Sequence, residues 1–141
     1  MEQIDRTALK ALIQEILQEK FSSHGVLHAA LPQLSLTESD RLDTGNPSDR
    51  VYTHDLFSLE QSPRLGAGLM EMTKSTFPWT LQYDEIDYVI SGTLTVKIGA
   101  DTVVAHPGEV ILIPKDSQIQ FSAPDFARFL YVTYPADWQH Q

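Results

Sequence analysis

The chain has 141 residues, enough for one domain with a buried core plus a short appendage. Its formal net charge of −9 argues against nucleic acid or an anionic membrane surface as partner, since both reward clustered Lys and Arg. The absence of cysteine removes disulfides, thiol catalysis and thiolate metal sites, and no apolar run reaches the length of a membrane span.

Residues 4–21 read as one amphipathic helix. Leu9, Leu12, Ile13, Ile16 and Leu17 recur at i, i+3, i+4 spacing, and Phe21 extends the stripe. Asp5 suits the N-cap, Ile4 and Leu9 suit a hydrophobic staple across it, and Gly25 suits the stop. Arg6, Lys10 and Glu15 interrupt the apolar residues, so the segment does not read as a secretory signal, and a cytoplasmic location is expected. Residues 1–22 are thus taken as the helix and 23–49 as an irregular linker, marked by Pro32 and Gly45-Asn46-Pro47-Ser48.

From Val51 the texture becomes short strands between turns. Candidates are 51–58, 68–77, 81–90, 93–98, 102–105, 110–113, 119–121 and 128–134. Gly99-Ala100-Asp101 and Pro107-Gly108 supply turns. Strands this short predict an antiparallel sandwich or barrel over residues 50–138.

Two stretches sharpen that expectation. Glu85 stands seven residues before Gly92, and Gly108 is followed by five residues and Pro114, spacings that resemble a cupin barrel. Asp43-Thr44-Gly45, Leu59 to Gly68, Phe77-Pro78-Trp79-Thr80, Tyr83 to Asp87 and Phe129 to Trp138 together resemble the cupin domain of the ethanolamine-utilization EutQ family, over roughly residues 40–139. The resemblance implies an all-β protein: a single cupin domain, a double-stranded β-helix or jelly-roll barrel, preceded here by the amphipathic α-helix. It also implies a homodimer, a setting in a bacterial microcompartment, and acetate kinase activity, which some members of the family are credited with. The terminal helix is itself similar to microcompartment encapsulation peptides, which order by laying an apolar face on a shell protein. The simpler alternative is that residues 4–21 pack on their own barrel or dimer.

On a strand, side chains alternate between faces, so if Glu85 points inward then Tyr83 and Asp87 do too. Such a strip suits proton transfer or the binding of a small polar molecule, because neighbouring carboxyls in an apolar cavity raise one another's pKa. Tyr83, Glu85 and Asp87 are therefore the candidate catalytic residues. Trp79 is the candidate wall of the substrate pocket, with Lys74 and Lys115 as the basic groups near the motif-bearing strands. The competing structural role is pairing of the carboxylates with Arg64, Arg128 or Lys74.

Common cupin metal sites use imidazoles with one carboxylate. Here Pro78 or Trp79, Thr80 or Leu81, and Ile119 stand where the imidazoles would be, so no three-His metal site is expected. His24 and His28 have helical spacing but sit beside Gly25, His106 precedes a turn, and His54 is the one His on a candidate strand. A hard cation such as Mg2+ on Glu85 and Asp87 remains open, with ATP if the chain is a kinase, although no Gly-rich phosphate loop is present. The alternatives to a ligand-binding enzyme are a non-catalytic assembly or adaptor protein and a metal-independent isomerase or lyase.

Overall fold

The computed structural model describes residues 5–21 and 25–140, with side chains described for 5–13 and 25–140. They divide into two units, Met1–Ala30 and Leu31–Gln141. In the first, helix α1 spans Arg6–Phe21. Asp5 caps it: the Thr7 and Ala8 backbone N–H groups donate to Asp5 Oδ1 at 3.0 and 3.4 Å, which satisfies two of the helix's unpaired donors. Leu9, Leu12 and Ile13 are exposed. Ile4, Ile16, Leu17, Phe21 and His24 lie outside the residues whose side chains are described. No helix among the described residues is long and apolar enough to cross a membrane.

The second unit holds β1 (Arg50–Asp55), β2 (Gly66–Thr80), β3 (Asp84–Gly92), β4 (Leu94–Ile98), β5 (Asp101–Ala105), β6 (Val110–Ile113) and β7 (Gln118–Tyr134). All pairings are antiparallel, in the order β1-β2-β7-β3-β6, with β4 joined to β5 and β7. The segments expected separately at 119–121 and 128–134 are one strand, β7. It stays continuous because β2 pairs with it from Gly66↔Thr133 to Thr80↔Gln118. The interruption that looked like a loop is a bulge: the register shifts between Thr73 and Ser75, where Lys74 has φ +47° and Pro124 and Asp125 face it. A proline that cannot donate to the ladder is tolerated at such a bulge.

Along its other edge β7 carries two strands in succession. Its C-terminal half pairs with β3, from Asp84↔Tyr134 to Gly92↔Ala127, and its N-terminal half pairs with β4 through Val96↔Phe121. Gly92 is where the chain passes from one to the other. Its φ is +76°, and a Cβ there would lie 2.1 Å from the Phe126 carbonyl oxygen, so only glycine fits. This is the physical content of the Glu85–Gly92 spacing.

The interior follows from period-two alternation. Leu81, Tyr83, Glu85, Asp87 and Val89 are buried while Gln82, Asp84, Ile86 and Tyr88 are exposed. Phe77, Phe121 and Phe129 stack through the centre, with centroids 5.6 and 6.3 Å apart; each buried ring contributes roughly 2–3 kcal/mol.

Residues 31–49, read from the sequence as irregular, are fastened to this sheet. Arg128 donates to the Leu31 and Leu34 carbonyls at 2.8 and 3.0 Å, and the Leu42 N–H donates to the Val51 carbonyl at 2.8 Å. The turn Glu38–Asp40 is held by His54 Nδ1, 2.8 Å from Asp40 Oδ1, which keeps the Asp40 carboxyl below its ordinary range.

Candidate functional site

β3 and the residues leading into it place Tyr83, Glu85 and Asp87 on one inward face. The neighbouring strands complete the row. Glu85 stands opposite Thr133 on β7 and Ile113 on β6, and Asp87 opposite Tyr131 and Ile111. Beyond Tyr131 comes Gly68 on β2, where a Cβ would lie 2.0 Å from the Tyr131 ring, so the missing side chain makes room for the phenol.

Over this row lies an aromatic cover. Trp79 comes from the end of β2 and Trp138 from the turn that follows β7, with ring centroids 6.0 Å apart; Trp138 also packs on Tyr83 at 6.1 Å and on Tyr131 at 5.8 Å. Trp79 Nε1 donates to the Tyr83 hydroxyl at 2.7 Å. The Tyr131 hydroxyl and Trp138 Nε1 both donate to Asp55 Oδ1, at 2.6 and 3.3 Å. Leu42, Met70, Phe77, Trp79, Tyr83, Glu85, Phe121, Tyr131 and Trp138 enclose a cavity of about 10 Å³, the space that one water needs. Leu42 and Trp79 are its only half-buried walls.

The carboxyl pair is electrostatically unusual. Glu85 Oε2, both oxygens of Asp87 and Thr133 Oγ1 are buried without a hydrogen-bond partner, and no ion pair among the described residues reaches either carboxyl. Two buried carboxyls two residues apart on one face favour keeping a proton over ionising both. Burial and the neighbouring Glu85 charge hold the Asp87 carboxyl well above its ordinary range. Burial raises Glu85 from 4.5 to about 7. Both carboxyls therefore hold a proton more tightly than exposed ones do. Desolvation and the Glu85 charge also push the Tyr83 hydroxyl up, and burial with Asp55 does the same to Tyr131.

Tyr83, Glu85, Asp87 and Trp79 are thus brought together. Lys74 and Lys115 are not: both are exposed, neither lines the cavity, and the Lys115 N–H donates to Asp84 Oδ1 at 2.8 Å. Arg64 is exposed too, and Arg128 pairs with Glu71, its cross-strand partner, so none of these supplies the countercharge proposed for the strip. The sequence did not mark Asp55, Tyr131, Thr133, Trp138 or Leu42 as part of the site. Gly66 and Gly68, each facing a β7 side chain, were the available signal.

Imidazole chemistry does not fit this interior. Leu81 and Ile119 are buried apolar groups with no lone pair, and His28 and His106 are exposed. His54 is engaged with Asp40 and His140 with Asp137. Among the described residues no group of three or more His, Cys, Asp or Glu converges. Glu85, Asp87 and Thr133 offer hard oxygen donors, but a hydrated divalent ion needs more room than one water's space.

The family described as ethanolamine utilisation protein EutQ matches residues 4–140. The chain belongs to the EutQ family. It is 55% identical to "Acetate kinase EutQ" of Clostridioides difficile (strain 630), across 98% of this chain and 96% of that protein. It is 46% identical to the protein of the same name from Salmonella typhimurium (strain LT2), covering 97% of this chain but 65% of that longer relative. The solved Clostridium difficile EutQ structure superposes with a TM-score of 0.83 at 63% identity, over 87% of this chain and 88% of that one. A cupin superfamily protein from Desulfitobacterium hafniense shares the fold at 14% identity and TM-score 0.54, over 61% and 78% of the two chains. The fold is a cupin barrel, and what departs from common cupins is the side-chain set in its centre.

Proposed function

We propose that this EutQ-family chain is an acetate kinase of ethanolamine-using metabolism, acting in the cytoplasm and housed in a bacterial microcompartment. The observation that carries this reading is the 55% identity, over nearly the full length of both chains, with a protein of that name. Transfer of a phosphoryl group from ATP to acetate forms an acetate O–P bond and breaks the bond between that phosphorus and ADP. Acetate is already a carboxylate, so no base is needed to activate it. The role proposed for the barrel is recognition: Glu85 in its protonated form and Tyr83, which line the cavity, donate to the acetate oxygens, Asp87 stands two residues along the same face, and Trp79 walls the methyl group. Acetate exceeds a one-water space, so Trp79 must swing outward to admit it. ATP and Mg2+ are the co-reactants of this reading. No cation lines the cavity to receive phosphate, which leaves exposed Lys74 and Lys115 as the groups proposed to meet it from outside.

The test is acetate- and ATP-dependent formation of acetyl phosphate by the purified chain, trapped as the hydroxamate. Wild type should turn over, and Glu85→Ala, which removes a carboxyl that lines the cavity, should raise the KM for acetate at least tenfold. Turnover with an unchanged KM would remove Glu85 from acetate recognition, and a wild type without turnover would end the kinase reading.

The nearly filled barrel favours a second reading, a non-catalytic assembly or adaptor protein acting through residues 4–21 on shell proteins. Deleting residues 1–22 should then abolish recruitment to the compartment and leave the barrel folded; retained localisation would sink it. A homodimer belongs to both readings.

A further inference from the structure

Trp79 and Trp138 both line the cavity, 6.0 Å apart, but the two indoles are held differently. Trp79 is half-buried near the end of β2, and its N–H donates to the Tyr83 hydroxyl. Trp138 is only 6% exposed, although it comes from the short turn after β7, outside the sheet. Its ring sits among three others, those of Trp79, Tyr83 and Tyr131. Gly66 lets the chain that carries it lie against the sheet, because a Cβ there would meet the Ala136 carbonyl oxygen at 3.2 Å. Asp55 then sets the orientation of the indole. This residue does not line the cavity; it is exposed at the end of β1 and reaches inward along one row of the sheet. Asp55 stands opposite Gly68, and Gly68 opposite Tyr131. With no side chain on Gly68 in the way, the phenol crosses it and donates to Asp55 Oδ1 at 2.6 Å. Trp138 Nε1 donates to the same oxygen at 3.3 Å. Buried Tyr and Trp need an acceptor for their polar hydrogen, and here one oxygen serves both, so it fixes two cavity walls from outside.

We propose that Trp138 is the specificity-determining wall of the barrel and Asp55 its positioning residue, together limiting the carboxylate substrate to two carbons. The inference rests on the acetate kinase reading and deepens it. With the substrate carboxylate on Glu85 and Tyr83, and Trp79 displaced to admit it, the methyl group meets Trp138, whose ring centroid is 6.1 Å from that of Tyr83. Met70, Phe77, Phe121 and Tyr131 close the space from the paired strands β2 and β7. A propionate or butyrate tail therefore needs the volume that the Trp138 indole fills. Forcing methylenes into a packed interior is unfavourable, whereas a dry apolar void accepts them. One methylene in an apolar pocket changes preference about tenfold or more.

The experiment compares sodium acetate, propionate and butyrate on the full chain with two readouts. One is kcat/KM for acyl phosphate formation from ATP and Mg2+, trapped as the hydroxamate; the other is calorimetric binding without ATP. Trp138→Ala should raise the propionate-to-acetate ratio about tenfold or more in both. Asp55→Ala should move the ratio the same way, and Asp55→Asn, whose amide oxygen still accepts both hydrogen bonds, should bring it back toward wild type. A general loss of structure would instead weaken all three carboxylates alike, and thermal melting of each variant checks the fold. Trp138→Leu, which also removes the indole, takes the place of the alanine variant if that one does not fold. An unchanged ratio in the Trp138 variants, or no binding of any carboxylate by them, would overturn the role of Trp138. Equal ratios in the two Asp55 variants would overturn that of Asp55. The two readings fail separately: a wild type without turnover ends the kinase reading while the binding ratio still decides the wall, and turnover with an unshifted ratio removes the wall alone.

Discussion

Glu85 and Asp87 lie two residues apart on one strand, buried, and neither forms an ion pair with any cation among the described residues. Such a pair costs stability whenever it must ionise, because desolvation of a carboxylate is unfavourable and nothing here offsets it. The folded Glu85 pKa is raised from 4.5 to about 7, so between these values the folded chain keeps a proton that the unfolded chain has released. Stability should therefore fall as pH rises through that window and level off above it. The melting temperature of the wild type should drop by roughly 5 °C between about pH 5 and about pH 8, and Glu85→Gln should remove most of that slope. A thermal scan across pH checks both, and an unchanged slope in the variant would assign it to other groups. The inward placement of these side chains could be read from alternation along Tyr83 to Asp87. Their lack of a countercharge could not, since Arg64, Arg128 and Lys74 were all within plausible reach in sequence terms.

At the level of strands and turns, β7 organises the molecule, and Arg128 on it does two tasks at once. Its guanidinium pairs with Glu71 across the β2–β7 ladder and also holds the Leu31 and Leu34 carbonyls. Arg128→Met should cost roughly 2 kcal/mol in urea unfolding, since it leaves a half-buried Glu71 and two carbonyls without their donor. Amide exchange around Leu34 should quicken in the same variant, and unchanged exchange would mean the turn is held by other contacts. The sequence showed the strands and most of their turns because alternation and Gly–Pro punctuation are local signals. It split β7 at Pro124, because a bulge and a loop break look alike until the partner strand is known. It also left 31–49 shapeless, because the groups that fasten it lie up to 97 residues away.

For the molecule as a whole, the outer face of β3 and β6 carries Ile86, Tyr88, Val110 and Leu112, all exposed, with Leu112 at 66%. Ile86 pairs with Leu112 and Tyr88 with Val110, so the four form one patch beside β6, the last strand of the sheet order. This is the surface on which the proposed homodimer would bury apolar area. Light scattering should give twice the chain mass for the wild type and the single chain mass for Leu112→Glu; a monomeric wild type would remove the dimer. The inward carboxyl strip, the turns and the Gly92 crossing were written in the sequence, because strand periodicity and glycine's freedom at positive φ act over a few residues. The size of the cavity, the missing countercharge and the recruitment of Asp55 by Tyr131 and Trp138 were set by folding. Those contacts join residues 76 and 83 positions apart, and no local pattern encodes which distant side chains will meet.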